Sequence, residues 1–208
     1  MVKIILLGIA LGTPCPLLAQ QSEVTVTFSA ESRKFDEATK QYQAIWDADG
    51  ERIVATMERI SGLEFMESEI QAVVFEGVSQ SGSADSPMKL RASYPADVKK
   101  ATLVHELGHR LSFPLRFYLG TQNELDSHRI LYLYLYDVWV SLFGQGFADQ
   151  QVAVEKGRTV PTAFRWLAGY DYRSAWDWIL KMSAAERSSR LKEVIRQNEG
   201  ARRRILGE

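Results

Sequence analysis

Strand-like patterns occur only in the first half of this 208-residue chain, and their distribution constrains the fold more than any other feature. Alternating apolar and polar residues predict strands at 23–31, 69–76 and 88–94, and helical periodicity predicts helices at 35–60 and 95–112. Only helical patterns follow, near residues 121–143, 145–156, 162–168, 173–182 and 184–197. The sequence therefore predicts an α+β fold, in which a small mixed sheet precedes an all-helical C-terminal half.

No repeat and no long linker divides the chain. We therefore expect a single domain over residues 20–208, with an α/β sublobe at 20–119 and a helical sublobe at 120–208. Within the first predicted helix, Asp49-Gly50 is expected to cause a break or a kink, because glycine is a poor helix former.

The first 19 residues have the features of a removable export signal. Lys3 precedes an apolar run at residues 4–11, and Ala19 ends a plausible cleavage site. This run is too short to span a bilayer, and a buried first strand is the alternative for it. Cleavage would remove Cys15, the only cysteine, which excludes disulfides and Cys-ligated zinc. We expect a periplasmic or extracellular protein with no stable membrane span.

Charge is balanced, whereas histidine is rare and clustered. Lys and Arg number 25 against 26 Asp and Glu, so no strong field attracts nucleic acid, and no nucleic-acid partner is predicted. The three histidines, His105, His109 and His128, lie within 24 consecutive residues. A functional hypothesis must account for this cluster.

Two of these histidines belong to the motif His105-Glu106-Leu107-Gly108-His109 on the predicted helix 95–112. Residues four apart lie nearly above one another on a helix, so both imidazoles can reach one tetrahedral zinc ion. Glu106 lies about 100° further round the helix, where it can act as a general base on a metal-bound water. Two ordinary histidines are the alternative interpretation. Gly108 leaves room for another backbone beneath the site, and the predicted buried face consists of Leu103, Leu107 and Leu111.

The motif resembles the active-site helix of the zincin metallopeptidases, which carries His-Glu-x-x-His. The resemblance is specific over residues 101–112 and extends by element order from the first strand to that helix. It implies one Zn²⁺ per chain, a peptide or protein substrate, and an edge strand, here 88–94, that holds an extended substrate by backbone pairing. The metzincin branch continues with Gly and a third His, whereas this chain continues with residues 110–115 as Arg-Leu-Ser-Phe-Pro-Leu. A gluzincin-like arrangement is implied, in which a second helix supplies the third ligand.

Two residues of the predicted helix 121–143 are candidates for that ligand. His128 stands where the gluzincin spacing expects a carboxylate, and it is the favoured ligand. Glu124 is the other candidate, although Thr121-x-x-Glu124 also forms a predicted capping box. Because Glu124 and His128 are four residues apart on one face, Glu124 could instead orient His128 through a hydrogen bond. An ordinary buried histidine is the alternative for His128.

The motif and its context predict an exported zinc metalloendopeptidase that hydrolyses peptide bonds through a metal-bound water activated by Glu106. Tyr170 and Tyr172 are the predicted donors to the oxyanion. Asp137 is expected to be the partner of an Arg or of a Tyr hydroxyl. The alternative function is that of a weakly active or inactive zincin-like protein, which serves as a metal-stabilised binding module of the cell envelope.

Overall fold

The computed structural model describes residues 23–83, 85–119, 125–158 and 170–207. The predicted export signal, the capping box and the helix at 162–168 lie outside these residues. The described strands are β1 (Thr25–Ala30), β2 (Glu69–Phe75) and β3 (Met88–Arg91). The described helices are α1 (Asp36–Ser61), α2 (Ala96–Leu111), α3 (Arg116–Leu119), α4 (Ser127–Phe143), α5 (Gln145–Lys156), α6 (Tyr172–Ile179) and α7 (Ala184–Leu206). The predicted α+β fold is confirmed.

The three strands form one parallel sheet in the order β1-β2-β3, so the prediction of a mixed sheet was wrong. The connection at residues 76–87 is long enough to run back along the sheet before β3 begins. On the outer edge of β3, Gln80 and Lys89 exchange two backbone hydrogen bonds of 2.9 and 2.8 Å. Next to them, Ser79 Oγ accepts a hydrogen bond from the Arg91 amide at 3.1 Å. Ser79 and Gln80 therefore cover β3.

Helix α1 continues through Asp49 and Gly50, where the sequence predicted a break. Gly50 packs against Trp46, since a Cβ at this position would lie 2.8 Å from two atoms of the indole ring. One turn further, Arg52 forms an ion pair of 2.6 Å with Asp49. Local packing thus outweighs the low helix propensity of glycine. The helix ends at Gly62, whose φ of 71° suits a residue without a Cβ.

Helices α2 and α4 cross in the core. Residues 130–135 of α4 are buried on every side, and so are the predicted apolar positions of α2, Leu103, Leu107 and Leu111. At the crossing, the Tyr134 hydroxyl donates to the Gly108 carbonyl at 2.6 Å, and a Cβ on Gly108 would overlap Leu131 Cδ1. Side chains of α4, and not another backbone, therefore use the space that Gly108 leaves, which corrects the prediction.

The other helices of the second half pack around α4. Asp137 on α4 accepts hydrogen bonds of 2.9 and 2.6 Å from the Arg187 guanidinium on α7, which confirms the predicted arginine partner. Within the described ranges, no helix has both the length and the apolar character that crossing a membrane requires.

Candidate metal centre

Three histidines from two helices meet where α2 and α4 cross. His105 and His109 lie one turn apart on α2, and His128 lies in the first turn of α4. Their potential ligand atoms all lie within 4.8 Å of one another. Around tetrahedral zinc, nitrogens at about 2.0–2.1 Å from the metal stand about 3.3 Å apart, so separations of at most 4.8 Å are on the scale of one shared ion. Because neutral imidazole is also a preferred zinc ligand, this set of donors fits zinc.

His128 is the candidate third ligand that the structure brings to the motif. Its ring centroid lies 5.6 Å from that of His105 and 4.8 Å from that of His109. Glu124, the other candidate, lies outside the described residues, so its role as a ligand or as a partner of His128 stays a prediction.

Asp126 sets the start of α4 and thereby the position of His128. Its carboxylate caps the helix by accepting a hydrogen bond from the Arg129 amide at 2.9 Å. The same oxygen, Oδ1, accepts a hydrogen bond of 2.9 Å from the Tyr170 hydroxyl. The helix consequently begins at Ser127, later than the sequence predicted.

Glu155 on α5, which the sequence analysis did not identify, holds His105 in place. His105 Nδ1 donates to its Oε1 at 2.7 Å, which leaves Nε2 of the ring for a metal. Trp176 Nε1 donates to Oε2 at 2.9 Å, and Arg158 Nη1 lies 3.6 Å from Oε1. Burial raises the pKa of the Glu155 carboxyl, but the attraction of His105 and Arg158 and these hydrogen bonds together hold it well below its usual range. Such a carboxylate fixes both the tautomer and the orientation of a ligating histidine.

Burial keeps the other histidines of the cluster neutral. Burial and the neighbouring His105 lower the pKa of His128 to about 3. Burial, with His128 and His105 nearby, also lowers the pKa of His109 well below its usual value. Neutral imidazoles have a free lone pair, which metal binding requires.

Glu106 is buried beside the histidines, with 4% of its surface exposed, and it lines the same cavity as they do. Burial raises the pKa of its carboxyl, and the nearby His105 and Arg158 partly oppose this effect. The carboxyl therefore holds its proton more strongly than an exposed glutamate does. A group with such a pKa is suited to accept and release a proton during one reaction.

The cavity has a volume of about 970 Å³, and residues 78–83 form one of its walls. Arg110, the residue after His109, ties this wall to α2. Its guanidinium donates three hydrogen bonds of 2.7 Å each, to the carbonyls of Ser81 and Ser86 and to Glu67 Oε1. Ser79 and Gln80 thus lie between the cavity and part of the segment 88–94. The zincin resemblance had implied that this segment is the substrate-holding edge.

Of the two predicted oxyanion donors, Tyr172 is the one that lines the cavity. Its ring centroid lies 5.1 Å from that of His128, and burial raises the pKa of its hydroxyl to about 12, so it keeps its proton. The Tyr170 hydroxyl instead donates to Asp126. Arg158, which the sequence analysis did not identify, is a second donor in the cavity wall.

Comparisons with known proteins gave no match to this chain, whether with family models, with curated proteins or with solved structures. The zincin resemblance therefore depends on the motif and on the order of the elements. The function has to be argued from the geometry of the centre itself.

Proposed function

We propose that this protein is an exported, zinc-dependent hydrolase that cleaves peptide bonds. One observation carries the proposal: three imidazoles lie within 4.8 Å of one another in a cavity that a buried glutamate also lines. A zinc site with three protein ligands and an open fourth position is typical of catalytic zinc. Export is inferred from residues 1–19 and would place the activity in the periplasm or outside the cell.

His105, His109 and His128 would each hold the zinc through one ring nitrogen. Zinc bound there would polarise a peptide carbonyl and lower the pKa of a water molecule. As the oxygen of that water adds to the carbonyl carbon, a Glu106 carboxylate oxygen takes the proton released. Glu106 then gives this proton to the amine nitrogen as the C–N bond breaks. The raised pKa of Glu106 suits both transfers.

Other residues of the cavity would act on the substrate. The Tyr172 hydroxyl and the Arg158 guanidinium can donate to the oxygen that gains negative charge. We propose that an extended peptide lies along residues 78–83, which form a wall of the cavity, in place of the strand that the resemblance implied.

Glu106→Gln is the variant that tests this function. Zinc content and the cleavage of casein and of a fluorogenic peptide library are measured for the wild type and the variant. We expect kcat to fall by about 10²–10⁴-fold while zinc is retained, because only the proton transfer is lost. Glu193→Gln is the control, since Glu193 contacts Arg196 and Gln197 on the surface of α7. It should cleave like the wild type.

Two results would contradict the proposal. Purified protein that takes up no zinc would exclude the metal centre, and undiminished cleavage by Glu106→Gln would exclude the assigned base. A zinc-loaded wild type that cleaves no peptide would instead support the alternative of a metal-stabilised binding module.

A further inference from the structure

Several exposed apolar side chains line the cavity. Among the described residues, Met66, Phe113 and Leu119 are large hydrophobic residues with 68%, 49% and 39% of their surface exposed, and all three line the cavity. Folding leaves this apolar surface exposed, and we expect that a bound molecule buries it. The cavity therefore has an apolar region that the proposed chemistry does not use.

Two of these residues belong to one helical segment that directly follows α2. It consists of a 3₁₀ turn, Phe113–Leu115, and of α3. Phe113, Arg116 and Leu119 recur every three residues, which places them on one side of the segment. All three line the cavity.

The rest of this segment is held firmly against the core. Leu115 and Tyr118, which lie between the three exposed positions, are buried. Asn198 on α7 accepts a hydrogen bond from the Tyr118 amide at 2.9 Å and donates one to the Pro114 carbonyl at 3.1 Å. The exposed side is therefore presented to the cavity by a fixed segment.

Arg116 differs from the other arginines that line the cavity. Its guanidinium stacks on the rings of Phe113 and Phe117, at 5.0 and 4.7 Å from their centroids. No carboxylate in the described part of the chain lies within ion-pair distance of it. The other three arginines in the lining are each paired with an acid: Arg91 with Glu76, Arg110 with Glu67 and Arg158 with Glu155. Arg116 is thus a positive charge that can pair with the carboxylate of a bound molecule.

We propose that Phe113, Arg116 and Leu119 form a substrate subsite that binds a carboxylate next to an apolar side chain. Arg116 binds the carboxylate with its planar pair of N–H donors, while Phe113 and Leu119 pack against the apolar neighbour. This proposal rests on the proposed function and adds a substrate class, namely peptides with such a carboxylate beside the cleaved region. The carboxylate can come from an Asp or Glu side chain or from the C-terminus of the peptide.

The first test compares peptides that differ only in charge. Fluorogenic peptides with Leu followed by Glu, Gln or Lys are made with a free and with an amidated C-terminus, and kcat/KM is measured for each. We expect the wild type to prefer the carboxylate over its neutral counterpart by about 10-fold. A preference for Glu over Gln shows that a side chain supplies the carboxylate. A preference that is lost on amidation shows that the C-terminus of the peptide supplies it.

Arg116→Glu should reverse this preference in favour of Lys. Arg196→Glu is the matched control, because Arg196 is also exposed but lies on α7, away from the cavity lining. It should keep the wild-type preference. The proposal is overturned if the wild type cleaves all the peptides with the same kcat/KM. It is also overturned if Arg116→Glu and Arg196→Glu change kcat/KM equally for every peptide.

A binding measurement separates this proposal from the proposed function. Affinities of fluorescein-labelled Glu, Gln and Lys peptides for Glu106→Gln are measured by fluorescence anisotropy, with and without the added change Arg116→Glu. If no peptide is cleaved but binding still depends on the carboxylate and on Arg116, the subsite stands and the hydrolytic function fails. If peptides are cleaved but binding depends on neither the carboxylate nor Arg116, the hydrolytic function stands and the subsite fails.

Discussion

The two halves of the molecule supply different parts of the same centre. Helix α2 of the first half carries His105, Glu106 and His109, whose mutual placement follows from the geometry of one helix. The second half supplies His128 on α4 and Glu155 on α5, which reach the centre only through tertiary packing. The placement of Glu106, the proposed general base, thus depends on local spacing, whereas the grouping and orientation of the three histidines depend on the whole fold.

Replacing one histidine of each half should have the largest effect and tests whether both halves belong to one site. We expect His109→Ala and His128→Ala each to lower zinc affinity by more than about 100-fold, because two imidazoles remain where three are needed. Competition with a chromophoric chelator measures this affinity. If His128→Ala binds zinc like the wild type, the second half does not complete the site through His128, and Glu124 becomes the candidate to test.

Glu155→Gln isolates the orienting contribution of the second half. Zinc affinity should fall by about 10–100-fold, since the carboxylate behind His105 is lost while all three imidazoles remain. Asp137→Asn is the control, because it removes a charge from an ion pair with Arg187 in the same half of the molecule. It should lower stability and leave zinc affinity unchanged. Equal losses of affinity in both variants would mean that Glu155 acts only through stability.

Gly108→Ala tests the contact between the two halves. The added Cβ would overlap Leu131 Cδ1, so we expect a loss of about 1–3 kcal/mol in the free energy of unfolding of the zinc-free protein. Gly146→Ala on α5 is the control, since a Cβ at this position would stand in open space, with no packing neighbour within 4 Å. It should change stability by at most about 1 kcal/mol, in the stabilising direction. Urea denaturation measures both, and indistinguishable curves would contradict the close packing of α2 on α4.

The neutral state of His128 should make the zinc-free protein sensitive to mild acid. The folded-state pKa is about 3, compared with 6.5 for an unperturbed histidine, so the unfolded chain binds more protons between these values. Stability therefore decreases as the pH falls below about 6.5, and this residue contributes a loss of about 2 kcal/mol between pH 7 and pH 5. Urea denaturation at the two pH values measures the loss, and His128→Gln should show correspondingly less of it. An identical pH dependence in the variant would show that His128 does not titrate as described.

Local signals predicted the parts of this molecule that local geometry determines. The strand and helix order up to residue 112, the buried leucines of α2 and the pairing of His105 with His109 all follow from the periodicity of neighbouring residues. The start of α4 was predicted too early, because Asp126, with Tyr170 as a distant partner, provides the cap.

The periodicity and spacing of neighbouring residues could not predict the long-range contacts. Glu155 is 50 residues from His105, and no spacing rule links a glutamate on one helix to a histidine on another. The sequence also predicted a mixed sheet, whereas the three strands are parallel; residues 76–87 carry turn residues that fit a return in either direction. Only the packed fold shows that Gln80 covers β3 and that Arg110 holds the cavity wall.

X-ray absorption at the zinc edge, recorded on the zinc-loaded wild type, tests the central claim most directly. The claim is that both halves contribute to one zinc centre through His105, His109 and His128. The expected spectrum shows one zinc per chain with three imidazole nitrogens at about 2.0–2.1 Å. A spectrum with two imidazoles or fewer, or protein that holds no zinc, would contradict the account.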